Sequence, residues 1–339
     1  MNCSTTWPCA ALPAADLSTR TTMKVGGRVA WLLEPATPEE FREAYLLARE
    51  RGHQVRVLGG GANLLVCDGE LPFTVLCTSR MGRIFRPGTQ PEDGADGAPE
   101  SGSTADPERE PAPLAQLEDL ARVAPVPRED DPRLVAWAGA SLPGLLRTAR
   151  ELGWSGLEGL VGVPGSAGGA AAMNAGGRWG DFWDVVESVR VLTPEGELRD
   201  ITRAAAKPSY RDGGLGENIV LGVVLALEVS QRAEVSTVMD TYLREKNALQ
   251  PVTEASSGCI FKNPDPELSD GRRAGQLIDE CGGKELRRGA ALVSPRHANF
   301  IINSGGAQAA DVFTLIEDVR DLVAQKTGLQ LATEVRIWP

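Results

Sequence analysis

Three polar residues, far apart along the chain, stand where a chain built only to fold has no need of them. Arg211 follows a tyrosine in Ser209-Tyr210-Arg211-Asp212-Gly213-Gly214, just before a glycine-rich turn. A guanidinium there is either solvated, the usual fate of a surface arginine, or faces a cleft and clamps a carboxylate through two parallel hydrogen bonds. Cys259 lies in Ser256-Ser257-Gly258-Cys259-Ile260-Phe261-Lys262-Asn263-Pro264. It is either a small core residue or an acid, since a thiol with a free pKa of about 8.5 is protonated at neutral pH and can still protonate a carbanion. Glu334 sits in the C-terminal stretch Leu329 to Trp338, where alternation puts Leu329, Leu331, Thr333, Val335 and Ile337 on one face of a strand and Gln330, Ala332, Glu334, Arg336 and Trp338 on the other. Glu334 either pairs with Arg336 across that face or orients a substrate and exchanges a proton.

Two uncharged glycine-rich stretches mark where a ligand would lie. From Gly159 to Gly177, seven of nineteen residues are glycine and none is charged; Gly59-Gly60-Gly61-Ala62-Asn63-Leu64-Leu65 follows the strand-like Val55 to Leu58. With no charged side chain, an anion there must be held by backbone N–H groups, which glycine allows to approach a phosphate closely. Taken alone, the longer stretch is equally a small-residue packing seam. The pair of loops suits one pyrophosphate, with expected contacts from Gly59, Gly60, Gly61, Ala62, Asn63 and Leu64, and from Pro164, Gly165, Ser166, Gly168, Gly169, Ala170, Asn174 and Gly176.

The elements that must position these groups read as an alternating α/β chain. Thr37-Pro38-Glu39-Glu40 starts a helix that stops near Gly52, and strands follow over Gln54 to Leu58 and Leu71 to Cys77. Leu134 to Ala138 is a strand, and Ser141 caps a helix ending near Gly153. Val185 to Leu192 and Glu197 to Ile201 flank a Thr-Pro-Glu-Gly turn as a hairpin, and Ile219 to Val229 is a long apolar strand. A helix over Gln231 to Leu249 opens the last domain, which continues with a strand over Asn299 to Asn303, a helix over Ala310 to Lys326 and the final strand. The expected organisation is an N-terminal extension, frayed, over 1–17; a first subdomain over 18–86; an insertion over 87–131; a second subdomain over 132–230; and a last domain over 231–339.

Composition excludes several classes. The formal charge of −11 is concentrated in the Pro- and Gly-rich insertion, where twelve acidic residues face three arginines; a flexible segment with a short helix over Leu114 to Val123 is expected there. The remainder is nearly neutral, so no basic footprint supports nucleic-acid binding. No apolar run reaches eighteen residues, and Met1 to Leu17 lacks a leader pattern, so neither membrane insertion nor secretion is expected. Six cysteines form no C-x-x-C pair and there are two histidines, His53 and His297, so no metal site is expected. Cys3 and Cys9 either bridge or are free; a reducing, cytoplasmic setting and a monomer are the expectation.

The ordered motifs T-T-M-K-V-G-G, G-G-G-A-N-L-L, G-L-E-G-L-V-G-V-P-G-S-A-G-G-A-A-A-M-N-A-G, S-Y-R-D, S-S-G-C-I-F-K-N-P, A-G-Q-L-I-D, R-H-A-N-F-I-I-N and T-E-V resemble those of the bacterial UDP-N-acetylenolpyruvoylglucosamine reductases of peptidoglycan precursor synthesis. The resemblance implies an α+β protein: a two-subdomain FAD-binding fold of the vanillyl-alcohol-oxidase (PCMH) type plus a C-terminal α/β substrate-binding domain. It implies noncovalent FAD, NADPH as hydride donor and UDP-N-acetylglucosamine enolpyruvate as substrate, with hydride passing from flavin N5 to the enolpyruvyl methylene carbon. Arg211, Cys259 and Glu334 fall on the catalytic positions, and Tyr210, Arg211, Asn263 and His297 on substrate contacts. The short Asp212 to Asn218 link and the S-S-G-C form place the chain in the branch without the tyrosine-bearing substrate loop; the acidic insertion is foreign to the pattern.

Overall fold

The structure, a computed structural model, describes residues 6–86 and 131–339. Cys3, the helix expected over Leu114 to Val123 and nearly all of the acidic insertion lie outside the described residues. The rest forms three lobes around one cleft.

The first lobe holds β1 (Ala10–Asp16), β2 (Arg28–Glu34), β3 (Val55–Leu58), β4 (Leu64–Val66) and β5 (Glu70–Cys77). Its sheet has the order β1-β2-β5-β3, with β5 parallel to both β2 and β3. Helix α1 (Pro38–Glu50) makes the crossover from β2 to β3; the Thr37 hydroxyl accepts from Glu40 N–H, and Phe41, Ala44, Tyr45 and Ala48 are buried on the sheet. The extension expected to fray is ordered from Trp7: Ala10 to Asp16 pairs antiparallel with β2, and Trp7 packs edge-on against Trp31 at 5.8 Å. An edge strand of Ala and Pro has few side chains to bury, so no apolar period announces it; backbone pairing holds it.

The second lobe comprises β6 (Ile84–Phe85), β7 (Arg133–Trp137), β8 (Trp154–Ser155), β9 (Gly176–Gly177), β10 (Gly180–Asp181), β11 (Val186–Leu192), β12 (Leu198–Thr202), β13 (Ile219–Ala226) and β14 (Glu228–Val229). The main sheet runs β12-β11-β13-β7-β6, antiparallel throughout. Pairing of β6 with β7 joins the two sides of the insertion in one sheet. On this sheet pack α2 (Leu142–Leu152), capped by Ser141 and ended by left-handed Gly153, and α3 (Ala167–Met173). Helix α4 (Arg232–Leu249) buries Val235 and Met239 in this same core. The packing boundary therefore falls after α4, not before it: its apolar stripe is satisfied by α2 rather than by the lobe that follows.

The third lobe contains β15 (Ala255–Cys259), α5 (Ala274–Glu280), β16 (Arg287–Arg288), β17 (Ala291–Val293), β18 (Phe300–Asn303), α6 (Ala309–Thr327) and β19 (Arg336–Trp338). Its sheet is β15-β18-β17-β16, and α6 lays Val312, Leu315, Ile316, Val319 and Val323 into the core before left-handed Gly328 stops it. The single strand expected over Leu329 to Trp338 is not formed. Leu331 and Val335 are buried as the alternation requires, but only Arg336–Trp338 is strand, and it pairs parallel with β4 of the first lobe. There the surface that defines the inside changes: Ile337 is 39% exposed while Trp338 packs edge-on against Phe73 at 5.7 Å. Asp68 strengthens the junction by accepting from the N–H groups of Ala309 and Ala310, both at 3.0 Å, at the start of α6.

Candidate active site

The strand β3 delivers the chain into Gly59-Gly60-Gly61, and the second glycine stretch leads into α3; the two loops meet. A Cβ on Gly60 would stand 2.7 Å from the Cα of Gly165, so residue 60 must be glycine for the loops to touch. They border one cavity of about 1320 Å³, enough for a dinucleotide and a second ligand. Gly59 to Leu64 all line it, as do Pro164, Gly165, Ser166, Gly169, Ala170 and Gly176. Gly168 and Asn174 do not. The N–H of Gly168 donates to Ala138 O at 2.8 Å, and a Cβ on residue 168 would run into Ala138, so this glycine belongs to a packing seam between α3 and β7. Asn174, left-handed at the end of α3, accepts from Trp183 N–H and donates to Ser209 O; its amide is consumed internally.

The three chemically interesting residues converge on this cavity, each from a different segment. Arg211 projects from a turn closed by reciprocal Ser209 and Asp212 backbone bonds. Its Nε donates to Glu334 Oε1 at 2.6 Å and its Nη2 to Gly176 O at 3.0 Å, and the side chain is only 15% exposed. The solvated alternative is thereby set aside. Glu334 pairs with Arg211 rather than with its strand neighbour Arg336, whose Nε faces Met173 Sδ. The backbone places it: Glu334 N–H donates to Ile260 O at 2.7 Å, next to Cys259, and Asn63 Nδ2 donates to Glu334 O at 3.1 Å. One short stretch thus ties the first glycine loop, the carboxylate and the cysteine strand together.

Electrostatics differ from those of free side chains. Burial pushes the Cys259 thiol up to about 12, Glu334 adding to the rise and Arg211 and Lys246 opposing it. Cys259 therefore keeps its proton over the whole working range and is a weaker acid than a free thiol. Burial also raises the Glu334 carboxyl, against the pull of the Arg211 guanidinium. The expected substrate contacts are present in the same cavity. Tyr210 lies beneath the Arg211 guanidinium at 5.1 Å and its hydroxyl accepts from Asn263 N–H. His297, its pKa lowered by burial, accepts through Nδ1 from Asn299 N–H at 3.3 Å. The 212–218 link is a tight turn, with Leu215 buried, and places no long loop over the cleft.

Sequence reading missed Lys246 and Thr22. Lys246, in the last turns of α4, lines the cavity, donates to Val161 O at 2.9 Å and is pushed down to about 8 by burial. A lysine in a helix otherwise read for its apolar stripe carries no distinctive signal. Thr22, inside the quoted T-T-M-K-V-G-G motif, donates its hydroxyl to Ser256 O at 2.6 Å and so joins first and third lobes.

The residues present fit FAD. Besides the glycine cradle, the hydroxyls of Ser166 and Ser257 are buried on the cavity wall without a hydrogen-bond partner, polar groups left for a ligand to satisfy. Gly60→Val is expected to abolish flavin retention, because the added side chain meets backbone that cannot step aside; the flavin absorbance of purified protein measures it.

The family model described as an FAD binding domain matches residues 116–202, and that of the UDP-N-acetylenolpyruvoylglucosamine reductase C-terminal domain matches residues 250–338. Fold and site together define an FAD-dependent oxidoreductase whose FAD-binding region is followed by a C-terminal domain bordering the same cleft. The UDP-N-acetylenolpyruvoylglucosamine reductase of Deinococcus radiodurans is 34% identical over 336 residues, 97% of either chain, and that of Synechococcus elongatus 35% identical over 328 residues, 96% of this chain and 93% of its own. The crystal structure of the Thermus caldophilus enzyme superposes with a TM-score of 0.71 at 32% identity, covering 97% of this chain and 98% of that one. The chain belongs to the UDP-N-acetylenolpyruvoylglucosamine reductase family.

Proposed function

We propose that this chain reduces UDP-N-acetylglucosamine enolpyruvate to UDP-N-acetylmuramate with electrons from NADPH, in the cytoplasm and as a monomer. The observation that carries the reading is the meeting of Arg211, Glu334 and Cys259 in the same cavity that the glycine cradle lines. When bound, FAD supplies a two-electron store that accepts hydride from one substrate and returns it to the next. Arg211 holds the enolpyruvyl carboxylate with the guanidinium hydrogens that Glu334 and Gly176 leave free, and stabilises charge that spreads onto it. Cys259 gives its proton to the neighbouring carbon. Tyr210, Asn263 and His297 hold the sugar nucleotide, and Lys246 faces its anionic groups. The first and second lobes bind the flavin, and the third lobe binds the substrate. Purified protein should be yellow, bleach anaerobically with NADPH and recover its colour on adding the enolpyruvyl sugar nucleotide, with UDP-N-acetylmuramate as product. Recovery only with oxygen would overturn the reading.

A pH profile separates the cationic groups. If the Lys246 ammonium is required, kcat/KM falls as pH rises through about 8, where this side chain loses its proton. Cys259, pushed up to about 12, contributes nothing in that range. The limb is expected to persist in Cys259→Ser and to vanish in Lys246→Met; a limb retained in Lys246→Met assigns it elsewhere.

A further inference from the structure

We infer that Asp181 is a positioning residue for Arg211, drawing the guanidinium from a side other than that of Glu334 so that its unbonded N–H groups stay available to the enolpyruvyl carboxylate; the inference rests on the function proposed above. Arg211 is one of few non-glycine residues with a left-handed backbone, φ 59°, so its own chain conformation is strained and the side chain needs external anchors. Its three nitrogens have three different neighbours. Nε is bonded to Glu334 Oε1 at 2.6 Å, Nη2 to Gly176 O at 3.0 Å, and Nη1 faces Asp181 Oδ1 at 3.8 Å. The last separation is too long for a hydrogen bond and lies near the outer limit of an ion pair, so Asp181 attracts the group without consuming its donors. Asp181 also lines the same cavity as Arg211.

Both anchors come from one small hairpin. Gly176 on β9 is paired with Asp181 on β10, and any Cβ on residue 176 would collide with the Asp181 carboxylate. Gly176 therefore presents its carbonyl to Nη2 and leaves room for the carboxylate that faces Nη1. Asp181 is fixed in turn by its N–H, which donates to Asp184 Oδ2 at 2.8 Å. A guanidinium with a single carboxylate beside it prefers a two-pronged fork. The hydrogen bond to Glu334 instead uses Oε1 alone, and an acid on another edge balances the pull toward that fork. Without Asp181, Arg211 would close onto Glu334 and present fewer donors to the substrate.

Asp181 also begins the turn over Phe182–Asp184, so the test must separate charge from capping. Asn caps as well as Asp but carries no charge. In Asp181→Asn, anaerobic stopped-flow should show reoxidation by the enolpyruvyl substrate slowed by up to about a hundredfold, the scale of a displaced reacting group. Flavin reduction by NADPH, KM and melting temperature should stay near wild type, and Asp181→Glu should restore most of the rate. A wild-type rate in Asp181→Asn overturns the inference. Should the Asn protein lose its flavin, Asp181→Glu and Asp181→Ser decide: the Glu protein faster than the Ser protein supports it, and equal rates overturn it. Absence of reoxidation in the wild-type protein would instead overturn the proposed function itself.

Discussion

Arg211→Ala is expected to lower turnover of the enolpyruvyl substrate by about a thousandfold, the upper end of what removing a charge-stabilising donor costs, while reduction of the flavin by NADPH proceeds at the wild-type rate. The guanidinium is nearly enclosed and hydrogen-bonded by Glu334 and the Gly176 carbonyl. On the function proposed above, its remaining donors hold the enolpyruvyl carboxylate onto which negative charge moves, so the contact strengthens as the reaction advances. Arg211→Lys should rescue little: one ammonium cannot contact Glu334, the Gly176 carbonyl and the substrate in the planar arrangement that a guanidinium allows. Removing the arginine also leaves the buried Glu334 uncompensated, which on the scale of broken buried pairs costs about 3 kcal/mol of stability. Melting curves and half-reaction kinetics together distinguish the two losses. Equal slowing of both half-reactions would show that Arg211 supports the flavin rather than the enolpyruvyl group.

Cys259→Ala should slow the substrate half-reaction by about a thousandfold, within the range for a positioned acid, and leave flavin reduction unaffected. The thiol is an acid that never ionises at working pH, since burial pushes it up to about 12. In the proposed reaction such an acid can protonate only a strongly basic centre, which an enolate-like carbon is. A serine hydroxyl is weaker still as an acid, but the raised thiol narrows the difference, so Cys259→Ser should retain more activity than Cys259→Ala. Single-turnover reaction in deuterated water, with both variants compared against wild type, measures the protonation step directly. Undiminished turnover in Cys259→Ala would remove the cysteine from the proton path.

Much of the site was readable in one dimension because its parts are local. Each glycine loop is a contiguous run of mostly small, uncharged residues, and the first directly follows a strand whose apolar pattern announces it. The helix over 309–327 and the capped helices at Thr37 and Ser141 follow from stripe and cap within a few residues. Where a glycine's role depends on what stands opposite, reading failed: Gly168 meets Ala138 while Gly169 meets the cavity, although the two are adjacent. Asn174 likewise spends its amide on Ser209 and Trp183, partners invisible from its own neighbourhood.

Residue types and order by themselves marked the two glycine loops, singled out the arginine, cysteine and glutamate that the fold brings to one cavity, and pointed to the family to which the chain belongs. Tertiary structure alone decided that Glu334 faces Arg211 rather than Arg336, that the last strand leaves its own lobe for β4, and that Lys246 and Asp181 enter the cleft. The reason is physical: propensity and period act over a few residues, whereas pairing, burial and the resulting pKa shifts depend on segments more than a hundred residues apart meeting in one low-dielectric space.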